Sequence, residues 1–585
     1  MVINVNCALD RGPFRIFWNS TGFTPSTLLL TQDMRQQVLF WSAIPRGGLH
    51  FARVHYLLEL VDVSFIGENA TQYNWSRLDQ GIDLLVQNGM APIFEIMGNP
   101  NGQFSDFNDD LQLRRWRNLV RDLALHLIDR YGAVEVERWY FEASNEPDGG
   151  FGWRQQWPQD EPSFCNYYDA CVDGLSAANP RLVIGGPGTC QTLSSMFRAF
   201  LAHCDSGINY FSHQKGTRLD FISIHEKALK PHKENLNPRT ADMLHREVEI
   251  INYIRQNHPR FASIPFMNNE CDPQVGWKDT HTWHAGPYYA SWVCKSVFQH
   301  LQQLVDSMGV DYQLLGNDHG FIGEWGHRTL LARFGQAGWI EDGQSNHADR
   351  HEWETNDFTT PNFSLVKKPV YTAMTLLSLL VDGSNNVQRL DCQIRGSLVQ
   401  QASDSELGAI ATRSEDGGIA ILLYYSRDRI NASGNQPVAL RLANLPFERA
   451  MLIHYRIDEE HNNPYAAWEA AGAPDFPGEE LLTQMHRLQE AQLLEEPDEI
   501  FAPERLINLE FDLPLHAVSL LLLLPRPDQP PAEVSGLRVA DFNSLNGQPE
   551  HLLHWDPLPS RAIRSYEVQY AATTDGPFER INSSD

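Results

Sequence analysis

Two glutamates stand out because each ends a short apolar run and directly follows an asparagine. Glu146 ends "WYFEASNE" and Glu270 ends "PFMNNE". A carboxylate at the rim of a buried strand costs free energy unless it has a partner or a function. If the two strands bring these side chains face to face, one carboxyl can protonate a leaving oxygen while the other, ionised, attacks or stabilises an anomeric carbon. The pair therefore predicts hydrolysis of a glycosidic bond.

The elements that would position this pair alternate between strand and helix over residues 14–375. Helical spacing is clearest over 114–131, ahead of Gly132. Similar amphipathic segments cover 77–88, 241–256 and 286–306. Eight strand-like runs lie around these helices: "FRIFWNSTGF", "FARVH", "PIFEIMG", "WYFEASNE", "LVIGGPG", "FISIHE", "PFMNNE" and "YQLLGND".

Eight such units predict a (β/α)8 TIM barrel, an α/β fold whose catalytic groups follow the strands at the C-terminal face. The ends of strands four and seven can then face each other across the mouth. The alternative is an open doubly wound sheet, which would want a glycine-rich phosphate-binding turn. The sequence has no such turn.

The pattern of apolar residues changes after about residue 376. Alternating runs over 376–525 predict a β-sandwich with one helical insertion near "GEELLTQMHRLQEAQLLEE", and residues 1–13 are expected to add a strand to it. A proline-rich linker follows. Residues 531–585 then resemble the opening strands of a fibronectin type III module that is apparently incomplete, since such a module needs about 100 residues.

Composition excludes several classes of function. A formal charge of −28 over 585 residues argues against nucleic-acid and anionic-membrane partners. Eight cysteines without a CxxC pair do not indicate a disulfide framework or a zinc ribbon. No apolar run reaches the ~18 residues of a membrane span, and no signal-peptide pattern opens the chain. We expect a soluble protein, cytoplasmic if Met1 is the native start and lysosomal or secreted if a signal was removed.

Other motifs do not predict a cofactor or a metal. His281 and His284 have i, i+3 spacing, but no further ligands accompany them at recognisable spacing. "IGGPG" at 184–188 is interpreted as close backbone packing at a strand end, and no Gly-x-Ser-x-Gly elbow occurs. We therefore expect neither cofactor nor metal.

The stretch "FEASNEPD" resembles the Asn-Glu-Pro signature of clan A glycoside hydrolases, and longer runs resemble glycoside hydrolase family 39. Those runs include "RVHYLLELV", "FEIMGNPNGQFSDF", "NNECDPQVGW" and "HRTLLARF". The resemblance covers nearly the whole predicted barrel and continues more weakly beyond it. It implies a retaining exo-glycosidase that hydrolyses terminal α-L-iduronic acid from glycosaminoglycan-type oligosaccharides, similar to dermatan or heparan sulfate.

The resemblance also implies roles for individual residues. Glu146 would be the acid/base and Glu270 the nucleophile, while Lys227 and Arg328 would meet the uronate carboxylate. Lysine and arginine suit that task because a uronic acid carries a fixed negative charge. The remaining implied sugar-binding residues are Arg53, His55, Asn145, Asp272, Gly276 (through its backbone), Trp277 and Asp318.

Two departures from the family pattern affect this site. Related lysosomal enzymes have Pro-His-Arg-Gly where this chain has "PRGG", so Arg46 stands where a sugar-binding histidine is expected. Cys271 follows the implied nucleophile and is expected to pack rather than react. The alternatives are a β-xylosidase or other family 39 glycosidase, which would have no use for the Lys227–Arg328 pair, and a catalytically inactive carbohydrate-binding protein, against which both glutamates speak.

Overall fold

The computed structural model describes most of the chain. It covers residues 1–66, 70–149, 160–230, 237–276, 279–334, 363–384, 386–395, 406–526, 529–543, 549–556, 558, 560 and 566–581. None of the helices in these residues is both long and apolar enough to cross a membrane.

Eight parallel strands pair in chain order to form one sheet that is nearly closed. The first and last strands approach each other through a bridge between Thr21 and Asn317 and through a hydrogen bond of 2.6 Å from the Leu315 N–H to the Phe17 carbonyl. This confirms the predicted TIM-like barrel rather than an open doubly wound sheet. The strands are β1 (Ser20–Phe23), β2 (Phe51–Val54), β3 (Ala91–Glu95), β4 (Tyr140–Glu142), β5 (Val183–Thr189), β6 (Phe221–Ile224), β7 (Phe266–Asn268) and β8 (Tyr312–Leu315).

Helices follow the strands and cover the sheet with their apolar faces. In the longest, Asp109 caps the first turn by accepting from the Gln112 N–H, and a stripe from Leu113 to Leu127 is buried. The helices are α1 (Gln32–Ser42), α2 (Ser76–Gln87), α3 (Asp110–Tyr131), α4 (Glu161–Ala178), α5 (Ser195–Ser206), α6 (Thr240–Asn257), α7 (Pro287–His300, continued as a π-helix over Leu301–Ser307) and α8 (Pro369–Ser378).

The inside of the barrel is apolar below its mouth. Ile93, Phe221, Met267 and Leu314, from four different strands, form a core cluster of their own. Polar side chains are therefore confined to the strand ends above this layer, where a buried charge can find partners. Two hairpins flank the barrel, one pairing Asp62–Phe65 with Thr71–Asn74 and the other Leu331–Phe334 with Ser364–Lys367.

A second, mostly antiparallel sheet of ten strands follows the barrel. Among the described residues, the two halves of this sheet are joined where Gln388 and Arg389 pair with Arg413 and Thr412, and they share one core. One half holds Leu407–Arg413, Ile419–Tyr425, Arg449–Ile457, Gln492–Leu493, Asp498–Phe501 and Ala517–Leu524, and the other holds Val2–Pro13, Gln388–Arg395, Asn435–Ala443 and Leu506–Pro514.

The N-terminal strand Val2–Pro13 lies between Gln388–Arg395 and Asn435–Ala443. The helical insertion consists of Pro464–Ala470 and Glu479–Leu488. Beyond the linker, Ser535–Asn543 pairs with Pro549–Asp556, and Gln569–Tyr570 pairs with Glu579–Arg580.

Candidate active site

The two glutamates meet at the C-terminal mouth of the barrel. Glu146 lies just beyond β4 and Glu270 just beyond β7, and an oxygen of each, together with a ring nitrogen of His225, lies within 4.8 Å of the others. The turn that carries Glu146 is left-handed at two non-glycine residues, with φ of 66° at Ser144 and 43° at Glu146. Such a backbone costs about 1–3 kcal/mol per residue and recurs at functional sites. The Glu146 N–H anchors the turn by donating to the Gly188 carbonyl at 2.9 Å.

Arg53, at the end of β2, is the buried centre of the mouth, with 1% of its surface exposed. Its Nε donates to Glu142 Oε2 at 2.7 Å and its Nη1 to Glu270 Oε1 at 2.8 Å. Its Nη2 donates to Asn145 Oδ1 at 3.0 Å and also contacts Glu95. Burial alone would lower the pKa of Arg53, but the three carboxylates raise it well above its usual range. The guanidinium therefore stays charged and ties the strand ends together.

His55 is held in the charged state beside it. Its Nδ1 lies 2.6 Å from Glu95 Oε2, and its Nε2 lies 3.8 Å from Glu270 Oε1 and 3.7 Å from Asp318 Oδ2. Burial would lower the pKa of His55, but Glu95 and Asp318 raise it to about 10. Both ring nitrogens are then donors, and one of them faces Glu270.

Glu270 is surrounded by donors. Besides Arg53, Lys227 forms a very short ion pair with its Oε2, and His225 Nδ1 lies 3.3 Å from its Oε1. Burial would raise the pKa of Glu270, but His225, Lys227 and Arg53 together hold it well below the usual range. The carboxyl of Glu270 is therefore ionised across the physiological pH range.

Glu146 has fewer partners. Its Oε1 lies 3.2 Å from His225 Nδ1 and 3.6 Å from Lys227 Nζ. Burial and the charge of Glu270 raise the pKa of Glu146, but Lys227 and the hydrogen bond to His225 outweigh them, so that the pKa lies below its usual value. The other ring nitrogen of His225, Nε2, lies 3.1 Å from Arg53 Nη2, so that Nδ1 faces the two carboxylates.

A second charged group lies on the β7 and β8 side of the mouth. Arg328 Nη2 lies 3.2 Å from Asp272 Oδ2, its Nε donates to the Asp318 carbonyl at 3.2 Å, and its Nη1 donates to the carbonyl of Gln274. Burial raises the pKa of Asp272 to about 6, with Arg328 and Lys227 opposing. The close approach of Asp318 requires glycine at position 22, because a Cβ there would lie 1.9 Å from Asp318 Oδ1.

The structure gathers nearly all the side chains that the sequence and its family resemblance singled out. Among the described residues, Arg46 makes no hydrogen bond or ion pair with this group. Its guanidinium donates to the Val381 carbonyl at 2.5 Å and to the Ser560 carbonyl at 3.4 Å, so a sugar contact of Arg46 stays a prediction. Gly276, with φ of 90°, lies in the loop that follows β7, and Trp277 lies outside the described residues. The residues brought together are Arg53, His55, Asn145, Glu146, Lys227, Glu270, Asp272, Asp318 and Arg328.

Sequence reasoning missed Glu95, Glu142 and His225. All three are fully buried, and their contacts orient Arg53, His55 and the two strand-end glutamates. The available signal was a charged residue inside an apolar strand, as in "PIFEIMG", "YFEAS" and "ISIHE". Cys271 is buried as expected, and burial raises the pKa of its thiol well above the usual range, so it stays protonated.

Spacing alone would allow a metal ion at two sets of groups here, His55–Glu270–Asp318 and Glu146–His225–Glu270. Both sets share Glu270, whose oxygens already pair with Arg53 and Lys227. Because those two cations would repel a metal ion, the donor set fits an organic ligand better than a metal.

Comparison with known proteins agrees with this geometry. The model of glycosyl hydrolases family 39 matches residues 1–497. The mouse (Mus musculus) α-L-iduronidase is 33% identical over 97% of this chain and 88% of its own. The solved structure of a bacterial orthologue of human α-L-iduronidase superposes with a TM-score of 0.85 and 36% identity, covering 99% of this chain and 92% of that one. A monomeric β-xylosidase from Caulobacter crescentus shares the fold, with a TM-score of 0.65 and 20% identity over 90% of this chain and 99% of its own.

Proposed function

The chain belongs to the glycosyl hydrolases of family 39, and on that premise we propose that it releases terminal α-L-iduronic acid from glycosaminoglycan-type oligosaccharides. One observation carries the proposal. The paired carboxylates share a buried mouth with two cations, Lys227 and Arg328, placed by different strand ends. A uronic acid has a carboxylate to offer these cations, whereas a neutral sugar such as xylose has none.

The separation of the carboxylates supports a retaining mechanism. Retaining glycosidases hold their two carboxyl groups about 5–5.5 Å apart, and inverting ones about 6.5–9.5 Å. Glu146 and Glu270 have oxygens within 4.8 Å. In this proposal Glu270 attacks the anomeric carbon while Glu146 gives its proton to the leaving oxygen. Glu146 then takes a proton from water, and that water displaces Glu270 from the sugar.

Glu146 must hold a proton for the first step, although its pKa is lowered in the free site. Binding of the proposed substrate would raise the pKa of Glu146 again. When its carboxylate takes over part of the interaction with Lys227, the cation that lowers the pKa of Glu146 is partly neutralised. The negative charge that the uronate brings into the mouth also raises the pKa of Glu146. Protonation of Glu146 is thereby coupled to the arrival of a uronate.

Other side chains of the mouth are suited to hold sugar hydroxyls. Asp318 Oδ1 is buried and accepts no hydrogen bond from any described residue, so it is available to a hydroxyl. Asn145 precedes Glu146 in the chain and accepts from Arg53, which also donates to Glu270. We assign sugar contacts to these two and, from the family pattern, to Asp272 and the backbone of Gly276, with Trp277 completing the set.

A panel of aryl glycosides tests the proposal. We expect an aryl α-L-iduronide to be hydrolysed with a far higher kcat/KM than an aryl β-D-xyloside, and ¹H NMR to show the α anomer as the first product. Dominant turnover of the xyloside would assign another activity within the family. Binding of iduronic acid without hydrolysis of any aryl glycoside would indicate a carbohydrate-binding protein.

We also propose the domain limits: a catalytic barrel over 14–375, a sandwich formed by 1–13 with 376–525, and a fibronectin type III-like module over 531–585. The two hairpins beyond the linker support the last assignment. A fragment ending at residue 530 that kept full activity would be consistent with a separate module, whereas one that failed to fold would contradict it.

A further inference from the structure

Another buried lysine, Lys368, forms its hydrogen bonds with groups other than the carboxylates described above. Lys368 has 0% of its surface exposed. It is the N-cap residue of α8, where its side chain makes no capping hydrogen bond. A positive charge beside a helix N-terminus is unfavourable because the helix dipole is positive there. A fully buried lysine in this place therefore calls for a compensating contact.

The compensation comes from one loop, residues 324–329, which carries Arg328. Lys368 Nζ lies 2.9 Å from the Glu324 carbonyl, 3.0 Å from that of Trp325 and 2.8 Å from that of His327. It also lies 2.8 Å from Thr329 Oγ1. The 324–329 loop thus wraps around the ammonium group on both sides of Arg328.

The hydrogen-bond acceptors around Lys368 indicate that its side chain is protonated. Thr329 Oγ1 donates its own hydrogen to the Leu331 carbonyl at 2.6 Å, so it meets Lys368 with a lone pair. Four oxygens with no hydrogen to give suit an ammonium group, which has three hydrogens and no lone pair. Burial lowers the pKa of Lys368 well below its usual range, and these four oxygens oppose that tendency by stabilising the charged form.

We propose that Lys368 is a positioning residue for substrate recognition, because its ammonium holds the 324–329 loop in the one conformation that presents Arg328 to the uronate carboxylate. The proposal rests on the proposed function for the identity of the sugar. Further contacts support the same loop, since His284 Nδ1 donates to the Gly326 carbonyl at 2.7 Å. Lys368 contacts acceptors on both sides of Arg328 in the chain, namely the three carbonyls that precede it and the Thr329 hydroxyl that follows it. Without it, the buried Trp325 carbonyl would lose its hydrogen-bond donor, whereas the Glu324 and His327 carbonyls would each keep one, from the His327 and Thr329 N–H groups. The loop would then rearrange to satisfy the Trp325 carbonyl.

The test replaces Lys368 by methionine, which keeps the length and removes the charge. The probes are an aryl α-L-iduronide and the matching aryl α-L-idopyranoside, which has a hydroxymethyl group in place of the carboxylate. We expect kcat/KM for the iduronide to fall about 30- to 100-fold, mainly through KM, and that for the idopyranoside to change less than about 3-fold. An equal fall on both substrates, or no fall on either, would overturn the proposal.

Lys295→Met is the matched control. Lys295 is also a buried lysine, but it pairs with Asp428 at 2.9 Å on the sandwich side of α7. It should not separate the two substrates. If Lys368→Met does not fold, Thr329→Val removes a single acceptor. It should lower kcat/KM less, and the loss should again fall mainly on the iduronide.

A crystal structure of the folded Lys368→Met or Thr329→Val variant separates this proposal from the proposed function. Displacement of Arg328 from Asp272 and the Asp318 carbonyl is the expected result, whichever glycoside the enzyme hydrolyses. An unmoved Arg328 would exclude the positioning role even if wild-type activity on iduronides is confirmed.

Discussion

Glu146 and Glu270 are both glutamates at the ends of barrel strands, yet their surroundings differ. The Glu270 side chain is 6% exposed and meets Arg53, Lys227 and His225. Glu146 is 16% exposed, and its charged partners among the described residues are His225 and, at 3.6 Å, Lys227. Both pKa values are lowered, but that of Glu270 far more. As the pH falls, Glu146 therefore binds a proton first.

The difference teaches how one residue type performs two roles. A nucleophile must stay ionised, and Glu270 is enclosed by fixed cations. A proton donor must exchange its proton at working pH, and Glu146 is nearer to solvent and depends on one lysine that can also serve the substrate. Roles are assigned by neighbours, since environments that push two pKa values apart separate the acid from the nucleophile.

Removing the more strongly held carboxylate should have the largest effect. We expect Glu270→Gln to lower kcat on an aryl α-L-iduronide by at least about 10⁴-fold, because no covalent intermediate can form. With Glu270→Ala, added azide should yield the glycosyl azide of inverted configuration, detectable by NMR. A glycosyl azide of retained configuration would indicate that the roles of the two glutamates are reversed.

The second largest effect should come from Glu146→Gln and should depend on the leaving group. We expect a loss of about 10²- to 10⁴-fold on a substrate with a poor leaving group and a smaller loss on an activated aryl glycoside, which departs without protonation. The measurement is kcat/KM across a series of aryl leaving groups. Equal losses across the series would contradict an acid role, and the Glu270→Gln series provides the control.

Removing the cation shared by the pair should shift the pH profile. Lys227 lowers the pKa of both glutamates, so Lys227→Met should raise both. Activity requires Glu270 ionised and Glu146 protonated, and both limbs of the kcat/KM profile should therefore move to higher pH. We also expect kcat/KM for the iduronide to fall about 10²-fold at the optimum. Limbs that stayed in place or moved to lower pH would show that Lys227 does not set these pKa values.

The smallest effect should come from Arg46→Ala. Arg46 contacts the Val381 and Ser560 carbonyls rather than either glutamate. Because distant sites act independently, we expect kcat/KM to stay within about 3-fold of wild type while Tm falls through the lost buried hydrogen bonds. A selective loss of activity on the iduronide without a change in Tm would indicate that Arg46 binds the sugar.

The sequence alone predicted the order of the elements and the candidate pair. The eight strand-like runs correspond to β1 through β8, and the segment predicted over 77–88 is the helix Ser76–Gln87. Glu146 and Glu270 were recognisable because a charged residue at the end of an apolar strand breaks a local pattern. Local periodicity and turn chemistry suffice for such predictions.

The partners of those residues were decided by the tertiary structure. Arg53 meets Glu142 and Glu270 across separations of 89 and 217 residues, and a single sequence contains no signal that pairs them. Arg46 shows the converse, since its position in the chain suggested the sugar site while its hydrogen bonds go to the Val381 and Ser560 carbonyls. Charge states, and with them the difference between the two glutamates, depend on distances of a few ångströms that arise only when the strand ends converge, because electrostatic interaction falls with distance and grows with burial.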